Sequence, residues 1–125
     1  MSPQRPLGVD ILEWKKAGAF FRSHEEKLGE LLSPSEIAFI RSSSNRARAF
    51  AMIFSAKEAA FKTLGAPFFG LSGFREVTIL PKKDFSVRFG GRFKKMSFVP
   101  LKVCFKKTRR HVVATCHAEP ACAGS

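Results

Sequence analysis

Two acids and a lysine sit where the chain around them is apolar or helical, and they are the residues best suited to chemistry. Asp10 interrupts the apolar run Leu7 to Leu12. An unpaired carboxylate is expensive to bury, so it needs a cation, a donor or water, or else it caps the helix that follows. Glu58 and Lys62 stand four residues apart in a segment of helical periodicity. They can pair across one turn, which adds only about 0.2–0.5 kcal/mol to a helix. Considered together, the two acids also suit magnesium, a hard ion that commonly takes one or two carboxylates and completes its shell with water and substrate phosphate. Lys62, one turn beyond Glu58, is then placed to offset charge on the same phosphate.

These residues have to be positioned by the elements that carry them. Leu7 to Leu12 is too short for a helix and is read as an opening strand. Trp14, Ala17, Phe20, Phe21, Leu28, Leu31 and Leu32 recur at helical spacing among Lys15, Lys16, Arg22 and Lys27, giving a basic amphipathic helix or helix pair from Glu13 to Leu32. Ser33-Pro34-Ser35-Glu36 combines a serine cap, a proline at the first helical position and a glutamate three residues later, and starts a short helix ending near Arg41. A long helix runs from about Arg46 to Leu64, with Gly65 as its left-handed terminator. It places Phe50, Phe54 and Phe61 on a buried stripe, with Glu58 and Lys62 along the edge.

Beyond a loop from Ala66 to Gly73, Val77 to Leu80 reads as a strand, and Phe85 to Phe93 as a tight hairpin around Gly90-Gly91. Leu101 to Phe105 and His111 to Cys116 form a second hairpin. The order strand, helices, strands predicts an α+β fold: a single domain over 1–125, a mixed or antiparallel sheet packed against one long helix and shorter ones, and a loose tail over 118–125.

A chain of 125 residues with 45% hydrophobic residues and 14 phenylalanines can build one core. It holds no apolar run of about 18 residues, and Met1 to Gly8 lacks a secretory signal, so a soluble cytoplasmic protein with reduced thiols at Cys104, Cys116 and Cys122 is expected. The net charge of +12 attracts polyanions without choosing among nucleic acid, an acidic protein and a phosphorylated cofactor.

Gly8-Val9-Asp10-Ile11 resembles the opening motif of the 4′-phosphopantetheinyl transferases. Phe54-Ser55-Ala56-Lys57-Glu58-Ala59-Ala60-Phe61-Lys62-Thr63-Leu64-Gly65 resembles their helical motif: an aromatic, two residues, Lys-Glu, three residues, then Lys. The 48 residues from Asp10 to Glu58 match the small, holo-acyl-carrier-protein synthase type, and the similarity runs roughly from Leu7 to Cys116. The resemblance implies that Asp10 and Glu58 hold magnesium, that Glu58 and Lys62 are catalytic, and that Lys62, Gly65 and Lys107 contact coenzyme A; Arg46 and Arg48, which open the helix bearing Glu58, are placed to reach its 3′-phosphate. It also implies a homotrimer with sites between subunits. Where the family carries a serine and, three residues later, a histidine, this chain has Cys104 and Lys107.

The implied reaction is transfer of 4′-phosphopantetheine from coenzyme A to a serine of an acidic acyl carrier protein, releasing 3′,5′-ADP. Lys15, Lys16 and Arg22 are the candidate carrier-protein face. Two competing readings are a nucleic-acid-binding module, using Phe85, Phe89 and Phe93 among basic residues, and an inactive family member that binds carrier protein.

Overall fold

The computed structural model describes residues 6–64, 71–95 and 99–119. Strand β1 (Gly8–Glu13) leads directly into helix α1 (Trp14–His24), which continues as a 3₁₀ segment over Glu25–Glu30. The expected basic amphipathic helix is therefore two pieces. Ala17, Gly18 and Phe21 of α1 are buried, while Lys15, Lys16 and Arg22 remain exposed.

Helix α2 (Pro34–Ser42) begins at the expected capping box: Ser33 Oγ accepts from the Glu36 N–H, and Glu36 Oε1 accepts from the Ser33 N–H at 2.8 Å. Helix α3 (Arg46–Lys62) starts at Asn45, whose Oδ1 accepts from the Arg48 N–H at 3.0 Å. Gly65, its expected terminator, lies outside the described residues.

Strands β2 (Val77–Leu80), β3 (Ser86–Phe89), β4 (Leu101–Lys107) and β5 (His111–Ala118) join β1 in an antiparallel sheet of order β1-β5-β4-β3-β2. The chain is thus α+β with an antiparallel sheet, as the order of elements implied. Ala118 is the last residue of β5, and the Glu119 N–H donates to the Pro100 carbonyl at 3.0 Å; residues 120–125 lie outside the described ones.

Two local expectations fail for physical reasons. Gly90-Gly91 is not a hairpin tip. It ends β3, because the Glu76 carbonyl accepts from the Gly90 N–H at 2.7 Å and the Glu76 carboxylate accepts from Arg92 Nε at 2.6 Å, wrapping the chain around Glu76. The hairpin instead joins β2 to β3 through Pro81–Phe85, where Asp84 (φ 54°) and Phe85 (φ 57°) take the left-handed conformation without glycine. Part of the expected loop before β2 is also a 3₁₀ segment, Leu71–Glu76.

Helix α3 lies across the inner face of the sheet, and its Phe50, Ile53 and Phe61 meet Phe74, Val77, Ile79, Phe93 and Val103 in the main core. Aromatic rings knit this core together, with centroids 5.3 Å apart for Phe21 and Phe50 and 5.4 Å for Phe61 and Phe74. Phe50 and Phe61 are buried as the helical stripe implied, while Phe54 is half-buried. Phe93 is fully buried, and Phe85 and Phe89 pack against the core, so this trio is not the exposed stacking platform of the nucleic-acid reading. Cys116 is a buried free thiol whose pKa burial pushes up to about 12, whereas Cys104 is disulfide-bonded, against the expectation of reduced thiols throughout.

Candidate active site

The site begins with the approach of β1 to α3. Gly8 is buried against α3, and a methyl group there would collide with the Ala59 carbonyl oxygen. The absent side chain, together with Ala56, Ala59 and Ala60 on the helix, lets the strand press onto the helix backbone. Asp10 follows two residues later and shares the helix-facing side of the strand. Its register partners are Ala114 on β5 and, one strand further, Phe105 on β4. Glu58 immediately precedes Ala59. Acids 48 residues apart in sequence thus meet where the edge strand crosses the last turns of α3.

Lys62 closes this corner. Its Nζ donates to the Val9 carbonyl at 2.8 Å and lies 3.4 Å from Asp10 Oδ1. The Asp10 side chain is 15% exposed, whereas that of Lys62 is 53% exposed, so the carboxylate is largely sheltered and the ammonium reaches in from solvent. Burial pushes the Asp10 pKa above its ordinary value, with the Lys62 charge and hydrogen bond opposing. Burial also raises Glu58, and the neighbouring Asp10 charge raises it further, against the pull of Lys62. Among the described residues Glu58 makes no direct hydrogen bond or ion pair.

A half-buried carboxylate without a direct hydrogen bond or ion pair among the described residues, facing a second carboxylate that repels it, suits a hard divalent cation between the two. Among the described residues no group of three or more His, Cys, Asp or Glu side chains forms a metal cage. Among the described residues this corner offers two carboxylates, and with water or phosphate oxygens in the other positions they make the donor set that magnesium prefers.

An apolar cleft of about 190 Å³ opens beside this corner, lined by Leu12, Lys16, Ala17, Phe20, Phe50 and Phe54. Phe54 is one turn before Glu58 on α3, so the cleft leads from the acids toward the exposed lysines of α1.

The other expected contacts lie elsewhere in the chain. Arg46 is 3.9 Å from Glu25, and the guanidinium of Arg48 stacks 4.5 Å from the Trp14 ring centroid. Both open α3, about 15–18 Å from Glu58 at 1.5 Å rise per residue. Lys107 is the exposed last residue of β4, paired with Val112. The Trp14 indole N–H donates to the Thr108 carbonyl at 2.9 Å, tying the start of α1 to the β4–β5 turn. One copy of the chain thus gathers Asp10, Glu58 and Lys62, while Arg46 and Arg48 sit at the far end of α3. Gly65 lies outside the described residues.

Sequence reasoning missed one constellation next to the site. Lys57 Nζ donates to Glu36 Oε1 at 2.8 Å, and both side chains are fully buried. The capping box accounted for Glu36 as a helix cap, and no sequence signal placed a lysine inside the core.

A family model described as 4′-phosphopantetheinyl transferase superfamily matches residues 6–116. Holo-[acyl-carrier-protein] synthase of Clostridium acetobutylicum is 37% identical over 73 residues, 58% of each chain, and that of Koribacter versatilis is 39% identical over 59 residues, 46% of this chain and 47% of the relative. These matches span about half the length of the curated relatives. Holo-[acyl-carrier-protein] synthase of Neisseria meningitidis superposes with a TM-score of 0.71 at 21% identity, covering 92% of this chain and 99% of that one. The Helicobacter pylori enzyme, solved in complex with coenzyme A, gives 0.68 at 19% identity over 90% and 98%. At these identities the structural likeness establishes the fold.

Proposed function

Because the chain belongs to the 4′-phosphopantetheinyl transferase superfamily, we propose that it is a holo-acyl-carrier-protein synthase, transferring 4′-phosphopantetheine from coenzyme A to a serine of an acyl carrier protein and releasing 3′,5′-ADP. The observation that carries this reading is the convergence of Asp10, Glu58 and Lys62, with Lys62 Nζ 3.4 Å from Asp10 Oδ1 and Glu58 beside them without a direct partner among the described residues.

Asp10 and Glu58 would hold magnesium against the pyrophosphate of coenzyme A. The bound ion would supply polarisation of the phosphoryl oxygens and orientation of the pyrophosphate. The serine hydroxyl oxygen forms a bond to the β-phosphorus as the bridging phosphorus–oxygen bond breaks. The serine proton passes to Glu58 or to a water it holds. Lys62, with its exposed ammonium, offsets charge on the departing phosphate. No covalent enzyme intermediate is required, and positioning supplies much of the rest.

Lys16 lines the apolar cleft, and Lys15, Lys16 and Arg22, all exposed on α1, are the proposed face for an acidic carrier protein. Leu7, Val9 and Ile11 are 51%, 37% and 63% exposed, and the latter two alternate with Gly8 and Asp10 on the sheet face away from α3. This apolar face supports a homotrimer, in which Arg46, Arg48 and Lys107 of one copy would approach Asp10, Glu58 and Lys62 of another and contact coenzyme A, with Gly65 joining them. No helix of the described residues is long and apolar enough to cross a membrane, and a cytoplasmic location is proposed. The test is addition of one phosphopantetheine to an apo carrier protein with coenzyme A and magnesium, which Asp10→Asn must abolish.

A further inference from the structure

Lys57 and Glu58 are consecutive on α3, so their side chains leave the helix about 100° apart. Glu58 lies on the side of this turn that faces β1, near enough to Asp10 to feel its charge. Lys57 is directed instead at α2 and β2, where Glu36 Oε1 receives its ammonium at 2.8 Å. Glu36 is itself immobilised. Oε1 also accepts from the Ser33 N–H at 2.8 Å, and Oε2 accepts from the Ile79 N–H at 2.8 Å, which ties the carboxylate to the start of α2 and to β2 at once.

Elsewhere α3 is held by apolar packing, which is non-directional, with Phe50, Ile53 and Phe61 filling the core. Five of its ten buried residues are alanines, which give shallow ridges between those bulky anchors. A buried ion pair is in general poor evidence for stability, because apolar residues of similar volume often serve as well. Its geometric demand is more specific: Lys57 and Glu58 are adjacent on one rigid helix, so a rotation of α3 that carries Glu58 away from Asp10 also displaces Lys57 relative to the immobilised Glu36.

We propose that the buried Lys57–Glu36 pair is a positioning device that fixes the rotation of α3 so that Glu58 faces Asp10. The proposal rests on reading Asp10 and Glu58 as the divalent-cation site. Lys57 and Glu36 are positioning residues, since neither side chain is exposed to reach substrate.

The double variant Glu36→Leu with Lys57→Met replaces the pair by apolar side chains. It is compared with wild type and with Ile53→Val, a core control elsewhere on α3. Three quantities are read: melting temperature, manganese affinity of the free protein by electron paramagnetic resonance, and the nuclear Overhauser contact between Gly8 Hα and the Thr63 γ-methyl, which lie together where β1 meets α3. The double variant should melt near wild type, bind manganese roughly 10–100-fold more weakly, and lose intensity in the Gly8–Thr63 contact, while Ile53→Val keeps both. A folded double variant with wild-type manganese affinity and an unchanged contact overturns the proposal. If wild type binds manganese no better than Asp10→Asn does, the cation reading fails, and the Gly8–Thr63 contact alone decides the positioning claim. Should the double variant not fold, Glu36→Gln, which keeps the shape and removes the charge, carries the same comparison.

Discussion

Lys62 reaches back from the last turn of α3 to Asp10 on the edge strand, its Nζ 3.4 Å from Oδ1, rather than forming the helical pair with Glu58. That choice leaves Glu58 without a direct partner among the described residues and lodges it beside a second carboxylate. The site is thus held in an electrostatically unfavourable arrangement that a cation would relieve.

Glu58→Gln should therefore stabilise the protein in the absence of divalent cations. A carboxyl whose pKa is raised by folding contributes stability below its ordinary value, 4.5 for Glu58, and loses it as pH rises through the raised folded value. At pH 7 the variant should melt a few degrees above wild type, and the gain should shrink as pH falls through the raised folded value and be gone below 4.5. Adding magnesium should narrow or reverse the difference by stabilising wild type alone. Calorimetric melts across pH, with and without magnesium, check both statements.

Gly8→Ala should damage the site from a position that carries no chemistry. The methyl group meets the Ala59 carbonyl, and overpacking of this kind costs about 1–3 kcal/mol. Urea unfolding should register that loss, and calorimetry should show weaker magnesium binding as β1 is pushed off α3. Gly29→Ala, which meets open space, should stay within about 0.5 kcal/mol of wild type.

Asn45→Ala should lower stability by about 1 kcal/mol by removing the cap of α3. The loss should appear in denaturant unfolding, with magnesium affinity unchanged, because the cap lies at the opposite end of the helix from Glu58.

Ile11→Glu should disperse the proposed trimer. Ile11 is 63% exposed on the outer sheet face, where a charge costs an isolated chain little but opposes burial between copies. Sedimentation should show wild type at three times the monomer mass and the variant as monomer, with unchanged circular dichroism and lost transfer activity. A monomeric, active wild type would contradict the intersubunit site.

The core of the site was legible because its residue types are out of place: an acid in an apolar strand and an acid and a lysine at the edge of an amphipathic helix. Ser33 and Glu36 were equally readable as a cap. The burial of Glu36 with Lys57 was not, since both residue types ordinarily signal solvent and their pairing depends on how α2 meets α3. Gly90-Gly91 misled because the usual glycine signal for a turn was answered by Glu76. The true β2–β3 turn uses Asp84 and Phe85 at positive φ, where sequence gives no glycine to mark it. Arg46 and Arg48 were placed by opening the helix that bears Glu58 and Lys107 by resemblance, and one copy of the chain does not gather the two arginines with the acids.

The most direct test is the intact mass of an apo acyl carrier protein after incubation with this protein, coenzyme A and magnesium, beside the same mixture containing Glu58→Gln. The account predicts that the carrier gains the mass of one phosphopantetheine with wild type and none with the variant. No gain with wild type across several carriers would contradict it and point to Cys104 and Lys107, where the family has serine and histidine, as the origin of an inactive member.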